Sequence, residues 1–91
     1  MKKIYKYVLE VTGDQSIAMP DAAKVLAIQV QHGKPCVWAE VDSEQTVTAF
    51  RRFVTVGTGA PTPEDFDKLH YVGTYQLDSG NFVGHVYVDR L

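Results

Sequence analysis

The fold is decided by residues 24–41, KVLAIQVQHGKPCVWAEV, in which two alternating runs of apolar residues flank a short loop. Leu26, Ile28 and Val30 share one face of the first run, and the second run alternates in the same way. An apolar residue at every second position is typical of a half-buried β-strand. A short loop with a glycine, here Gly33, suits a hairpin because glycine tolerates a positive φ. The stretch therefore predicts a β-hairpin.

Further strand patterns lie on both sides of this hairpin. They are rich in aromatic and β-branched residues and cover residues 4–11, 16–19, 46–56, 71–77 and 82–88. Turn-forming residues lie between them, including 12–14 and 78–81, and the latter predict a second hairpin. Short strands with turns between them indicate an all-β fold. We predict a single domain, residues 1–91, folded as a small antiparallel sandwich or a partly open barrel of roughly six or seven strands.

One short helix is predicted after Pro61. Thr62 and Asp65 have the spacing of a capping box, and Pro63 occupies the first helical position, which proline favours. Acidic residues also suit the first turn because they complement the positive end of the helix dipole. No more than about two helical turns fit before the next strand pattern begins.

Composition excludes several classes of protein. The chain has 91 residues, one cysteine and a formal net charge of −2, so it forms no internal disulfide and does not attract long nucleic acids through bulk charge. No apolar run approaches the roughly 18 residues of a membrane helix, and the basic N-terminus lacks the apolar segment of a signal peptide. We therefore predict a cytoplasmic protein that binds neither membranes nor long nucleic acids.

Motifs for catalysis and metal binding are absent from the sequence. No serine lies in a G-x-S-x-G pattern, and the spacings of zinc-binding cysteines and histidines do not occur. Cys36 follows the pattern of a small buried residue on a strand. We therefore predict neither enzymatic activity nor a metal or other cofactor.

The aromatic residues predict that the chain associates with itself. One tryptophan, four phenylalanines and five tyrosines are more than one small core covers completely, and tyrosine favours a position with one apolar and one wet side. A domain of this size buries only about 60–65% of the surface that its unfolded chain exposes. We predict a homo-oligomer, and the interface candidates are Trp38, Tyr75 and Tyr87. Alternatively, the aromatic side chains form a platform on which nucleotide bases stack.

The most suggestive polar pattern combines two arginines with a glycine turn. Arg51 and Arg52 lie on a predicted strand, and the strand leads into Gly57, Thr58 and Gly59. A Gly-x-Gly turn aims backbone N–H groups at an anion, Thr58 adds a hydroxyl, and a guanidinium binds phosphate through its planar fork. The two arginines point to opposite faces of the strand, so only one of them serves a given pocket. The alternative is that residues 57–59 form only a tight turn at the end of the strand and bind no ligand.

His85 is the remaining candidate for a ligand contact. It faces the same side of its predicted strand as Val83 and Tyr87. The position also suits a core or interface histidine, so the pattern leaves both roles open.

GKPCVWAEVD at 33–42 and VGTGAP at 56–61 are the most specific parts of a family resemblance, which also covers 1–11, 19–42 and 70–88. Over these stretches the chain resembles a family of small bacteriophage and prophage proteins. The resemblance implies a soluble protein made in an infected bacterial cell, and it carries no catalytic residues to this sequence. Phage proteins of this size are often counter-defence factors. One class, the anti-CBASS proteins, comprises oligomeric sponges that sequester cyclic nucleotides.

Two functions remain as hypotheses. The first is a counter-defence protein that sequesters a small anionic ligand, a cyclic nucleotide, without catalysis. The alternative is a protein–protein interaction module without a small-molecule ligand, either a virion component or an inhibitor of a host protein, which binds through an exposed sheet edge. A hydrolase such as a phosphodiesterase lacks support because the sequence has no nucleophile or metal motif.

Overall fold

The computed structural model describes residues 1–11 and 13–91 and shows an all-β fold. Its strands are β1 (Lys2–Val8), β2 (Asp14–Pro20), β3 (Lys24–Gln31), β4 (Lys34–Asp42), β5 (Thr48–Gly57), β6 (His70–Leu77) and β7 (Phe82–Val88). The strand pairs are antiparallel and form two sheets, in the orders β1-β4-β3 and β2-β5-β7-β6. The predicted all-β fold is confirmed. The turn predicted at 12–14 includes Thr12, which lies outside the described residues.

Both predicted hairpins are confirmed. The strands β3 and β4 meet at a two-residue loop, in which His32 and Gly33 take φ values of 53° and 76°. Positive φ at both loop positions is the geometry of a type I′ turn, whose twist matches that of the flanking strands. The strands β6 and β7 meet at a short turn, Asp78–Gly80, in which all three residues take positive φ values.

A β-bulge in β3 changes which of its side chains face the core. The register with β4 shifts between Val25 and Ala27, so Val25 and Ile28 are buried whereas Leu26 is exposed. The prediction that Leu26 shares one face with Ile28 and Val30 is therefore wrong. Val30 is exposed as well. A bulge adds one residue to one strand and so reverses the alternation beyond it.

The core lies between the two sheets. Its fully buried members on the central strands are Val37, Ala39, Val41, Phe53, Val86 and Val88. Along one side of the sandwich the edge strands β3 and β6 pack against each other, and Gly73 of β6 faces Ile28 of β3. A Cβ atom at Gly73 would lie 2.5 Å from Ile28 Cγ2, so this close approach of two strands requires a glycine.

The helix predicted after Pro61 is a single 3₁₀ turn, Phe66–Lys68. Asp65 occupies its N-cap position, but the Asp65 side chain makes no cap hydrogen bond. The carboxylate instead accepts a hydrogen bond from the Arg52 guanidinium, with 2.6 Å between Oδ2 and Nη1. The predicted capping box of Thr62 and Asp65 is therefore wrong, because a charge-assisted bond to arginine occupies its acid. No helix in the described residues is long and apolar enough to cross a membrane.

Candidate functional site

The segment between β5 and β6 folds back over the outer face of the four-stranded sheet. On this face β5 carries Val54 and Val56, and β7 carries their cross-strand partners Tyr87 and His85. The Phe66 ring of the covering segment packs on Tyr87, with 4.3 Å between the ring centroids. This cover explains why Val54 and Val56 are buried although they point away from the core.

An open cleft of about 230 Å³ lies between the covering segment and the ends of β5 and β7. Phe66 and Tyr87 supply aromatic surface to it. Four of the predicted ligand residues also line it, and these are Gly57, Thr58, Gly59 and His85. The fold therefore brings the predicted glycine turn and the predicted histidine into one site.

A chain of hydrogen bonds holds the imidazole of His85 from both sides. Its Nε2 lies 2.7 Å from Thr58 Oγ1, and its Nδ1 lies 2.9 Å from Thr74 Oγ1. The hydroxyl of Tyr71 continues the chain at 2.6 Å from Thr74 Oγ1. A neutral imidazole has one N–H and one acceptor nitrogen, so His85 donates to one threonine and accepts from the other. Because a hydroxyl makes more than one hydrogen bond, Thr58 keeps capacity for a ligand in the cleft.

Sequence reasoning missed Thr74 and Tyr71. The register of the second hairpin locates both residues beside the cleft, because Thr74 pairs with His85 and Tyr71 pairs with Tyr87. That register contains a bulge between Tyr71 and Gly73, so simple alternation along β6 does not place the two side chains on one face.

The glycine turn does not form the predicted anion nest. Ala60 N–H donates to the carbonyl of Gly57 at 3.0 Å, and Thr58 N–H donates to the carbonyl of Val83 at 3.1 Å. Both amides are therefore engaged within the chain and are not aimed together at an anion. Gly59 takes a φ of 86° at the third position of this β-turn, where a positive φ favours glycine.

Arg51 is a buried structural residue and does not line the cleft. Only 1% of its surface is exposed, and its guanidinium donates hydrogen bonds to the backbone carbonyls of Ala23, at 2.7 Å, and of Arg90. Asp89 Oδ1 lies 3.7 Å from its Nε. Burial lowers the pKa of Arg51, because removing a cation from water disfavours the charged form. The predicted ligand role of Arg51 is thus corrected: its side chain lies on the core side of β5, opposite the cleft.

Arg52 lies on the cleft face of β5, but two carboxylates occupy its guanidinium. Asp14 accepts hydrogen bonds from Nε and Nη2, the shortest at 2.8 Å, and Asp65 accepts one from Nη1. These hydrogen bonds, chiefly those that Arg52 donates to Asp14, raise the pKa of Arg52. Because two negative charges already surround this cation, it has no fork free for a phosphate in the observed arrangement.

Acid should break the Arg52 cluster. The hydrogen bond from Arg52 holds the pKa of Asp65 below its usual value of about 3.9. The stability that this pair contributes is therefore present above the usual pKa and is lost as the pH falls through the lower pKa of the folded chain. We expect the melting temperature of the wild type to fall more steeply below about pH 4 than that of Asp65→Asn, which has no carboxylate to protonate.

Circular dichroism melts across this pH range measure the two slopes. Asp67→Asn removes an exposed acid two positions away and should keep the slope of the wild type. Parallel curves for the wild type and Asp65→Asn would show that the ion pair does not contribute to acid sensitivity.

The interface candidates occupy three different environments. Tyr75 is only 3% exposed and belongs to the core, so the predicted interface role of Tyr75 is wrong. The bulge in β6 turns it inward, opposite Gly84. Tyr87 is half-buried beneath Phe66 and lines the cleft. Trp38 is half-buried on the outer face of the three-stranded sheet, and its Nε1 has no hydrogen-bond partner in the described part of the chain.

Comparison with known families adds one finding to this geometry. The sequence matches, over residues 1–91, the family described as Domain of unknown function (DUF7352). The chain belongs to the DUF7352 family. No curated protein and no solved structure matches the sequence. Membership of DUF7352 therefore assigns no activity, and any functional argument depends on the cleft and the surfaces of this chain.

Proposed function

We propose that the chain is a non-catalytic binding protein that sequesters a cyclic nucleotide in the cleft beside Thr58 and His85. The observation that carries the proposal is that the cleft combines two aromatic side chains, Phe66 and Tyr87, with a hydroxyl fixed by a hydrogen bond. Thr58 Oγ1 lies 2.7 Å from His85 Nε2. Aromatic surface suits the flat face of a base, and the Thr58 hydroxyl, which His85 holds in place, suits phosphate and sugar oxygens. Clefts that combine apolar walls with a few polar groups are typical of small-molecule sites.

The charges around the cleft favour a phosphodiester over a phosphomonoester. Arg51 is buried elsewhere and Arg52 is engaged by Asp14 and Asp65, so the polar side chains lining the cleft are hydroxyls and one imidazole. A phosphomonoester carries about −1.5 to −2 charges at pH 7, whereas a phosphodiester carries a single charge. Neutral donors compensate the smaller charge at a lower desolvation cost. A cyclic nucleotide, in which each phosphate is a diester, therefore fits this site better than a mononucleotide.

The size of the cleft limits how much of a ligand it encloses. Its volume of about 230 Å³ lies below the roughly 300–1,000 Å³ of sites that enclose drug-sized ligands. One nucleotide unit is thus the largest part that it surrounds, and the remainder of a cyclic dinucleotide or trinucleotide lies over its open mouth. In the phage context that the sequence resemblance implies, such binding would withhold a host signal from its receptor.

The test is calorimetric titration of cyclic di-AMP, cyclic AMP and AMP into the wild type, Thr58→Val and Arg52→Gln. Thr58→Val keeps the shape of the side chain and removes the hydroxyl. Loss of a hydrogen bond to a charged group costs about 1.5–3 kcal/mol, so we expect affinity for the best cyclic ligand to fall roughly ten- to a hundredfold. Arg52→Gln should bind within about twofold of the wild type, because Arg52 is not free to contact the ligand.

The control variant is Thr48→Val, which makes the same substitution at an exposed position near the start of β5. It should bind as the wild type does. If the wild type binds none of the three nucleotides, or if Thr58→Val binds as tightly as Thr48→Val, the proposed site is wrong.

An exposed edge strand favours a second candidate, the interaction module. The strand β1 has apolar side chains exposed to solvent, and these include Ile4 and Val8. A wild type that binds no nucleotide, yet forms a complex that a substitution on β1 disrupts, would favour this candidate over sequestration.

A further inference from the structure

Four hydrogen-bonding side chains form a relay that leads from β6 into the cleft. Tyr71 Oη lies 2.6 Å from Thr74 Oγ1, which in turn lies 2.9 Å from His85 Nδ1. On the other side of the ring, His85 Nε2 lies 2.7 Å from Thr58 Oγ1. Thr58 and His85 line the cleft, and Tyr71 and Thr74 lie beside it. Tyr71 and Thr74 therefore act on a bound ligand through His85.

The position of one proton on His85 decides what Thr58 offers to a ligand. A neutral imidazole carries its proton on one of its two nitrogens. With the proton on Nδ1, the ring donates to Thr74, and Nε2 accepts the Thr58 O–H, which is then not free for a ligand. With the proton on Nε2, the ring donates to Thr58 and accepts the Thr74 O–H. Only this second arrangement leaves the Thr58 O–H free to point into the cleft.

Tyr71 favours the second arrangement. A phenol is more acidic than an aliphatic hydroxyl, so Tyr71 is the better donor and the poorer acceptor in its hydrogen bond with Thr74. The Tyr71 ring also packs on Tyr87, with 5.4 Å between the centroids, and this contact restricts it beside Thr74. A Thr74 oxygen that accepts from Tyr71 keeps its own O–H for His85 Nδ1. All donors in the relay then point toward the cleft, and hydrogen bonds aligned in this way strengthen one another.

We propose that Tyr71 and Thr74 are positioning residues, which hold His85 as its Nε2–H tautomer and thereby present the Thr58 O–H to the ligand. This inference rests on the proposed function and adds a selectivity to it. At Thr58 the cleft takes a hydrogen-bond acceptor, such as a phosphodiester oxygen. A hydroxyl that already points outward needs no rearrangement when the anion binds, so less free energy is lost on binding.

Acid removes the need for the relay. An imidazole takes up a second proton between about pH 8 and pH 5, and the cation has an N–H on both nitrogens whatever lies beside Nδ1. The side chains around His85 are Thr74 and Tyr71 of β6, Val56 of β5, Tyr87 of β7, Thr58 of the turn and Phe66 of the covering segment. The titratable groups in this set are phenols, which carry no charge in that pH range. Once His85 is protonated, the Thr58 O–H is therefore free with or without Thr74.

Nuclear magnetic resonance of the imidazole ¹⁵N nuclei at about pH 8 measures the tautomer in the free protein. A protonated ring nitrogen and a bare one have well-separated ¹⁵N shifts, and the His85 signals are those that His85→Gln removes. We expect a protonated Nε2 and a bare Nδ1 in the wild type, and a mixture of both tautomers in Thr74→Val. A wild type with its proton on Nδ1 overturns the proposal.

Calorimetric titration of cyclic di-AMP and cyclic AMP at two pH values measures the effect on binding. At about pH 8, Thr74→Val should bind roughly two- to tenfold more weakly than the wild type, because Thr58 no longer donates in every molecule. At about pH 5.5 the two proteins should bind alike, since His85 is then protonated. Thr74→Ser keeps the hydroxyl and should bind as the wild type does at both pH values.

Thr48→Val is again the control for the substitution itself, and circular dichroism checks that each variant is folded. If Thr74→Val binds as tightly as Thr48→Val at pH 8, or if its loss of affinity is the same at both pH values, the proposal is overturned, because Thr74 then has at most a structural role. A wild type that binds no nucleotide contradicts the proposed function alone, and the ¹⁵N shifts still decide the direction of the relay.

Discussion

Replacing Arg51 by methionine is expected to lower the free energy of unfolding by about 2–5 kcal/mol. Methionine fills much of the same volume but donates no hydrogen bond, so the carbonyls of Ala23 and Arg90 lose their partner. A buried acceptor left without a donor costs about 1–3 kcal/mol. The Arg51 side chain also joins the turn between β2 and β3 to the segment after β7, so its loss releases two parts of the chain.

Urea denaturation of the wild type, Arg51→Met and Arg51→Lys measures this effect. Lysine keeps the positive charge but lacks the planar fork that reaches two carbonyls, so Arg51→Lys should also be destabilised. Arg90→Met is the matched control because the Arg90 side chain is exposed and its backbone carbonyl remains in place. It should change stability by no more than about 0.5 kcal/mol. A midpoint for Arg51→Met equal to that of Arg90→Met would contradict the structural role of Arg51.

Adding one methyl group where β6 packs against β3 should have the second large effect on the free energy of unfolding. In Gly73→Ala the new Cβ would lie 2.5 Å from Ile28 Cγ2, so the strands β3 and β6 must move apart. Overpacking of this kind costs about 1–3 kcal/mol. Gly57→Ala is the control, because a Cβ there would meet Phe82 Cε1 at an ordinary 3.6 Å.

A second substitution identifies the contact responsible. Leucine has no Cγ2 on its Cβ, so Ile28→Leu removes the atom that the new methyl group meets. We expect Gly73→Ala/Ile28→Leu to be more stable than the two single effects added together predict, and chemical denaturation of the four proteins measures this coupling. Strict additivity would mean that the clash is relieved elsewhere.

Local patterns explain how the strands could be predicted. The alternation of apolar residues within 24–31 and 34–42 involves only residues that are close along the chain, and Gly33 lies in the loop between the two strands. These features depend on side-chain spacing and on backbone freedom, and both can be recognised in a short segment of the sequence. The bulges at Leu26 and Val72 could not be predicted in this way, because a bulge depends on how the partner strand is aligned.

The candidate site was predictable in part for a similar reason. Gly57, Thr58 and Gly59 are adjacent in sequence, and a turn there follows from their local preferences. Their neighbour in the cleft, His85, was a separate candidate until the pairing of β5 with β7 placed it 2.7 Å from Thr58. No local pattern specifies that pairing.

The sequence by itself determined the all-β class, the two hairpins and the glycine turn, because each depends on residues that are close along the chain. Only the tertiary structure decided the roles of the two arginines. Alternation places Arg51 and Arg52 on opposite faces of β5, but which face meets the core depends on the other sheet. Arg51 became a buried link to Ala23 and Arg90, and Arg52 became the centre of an ion-pair cluster. Their partners are distant in sequence, and a charged side chain binds whichever acceptors the folded chain brings within reach.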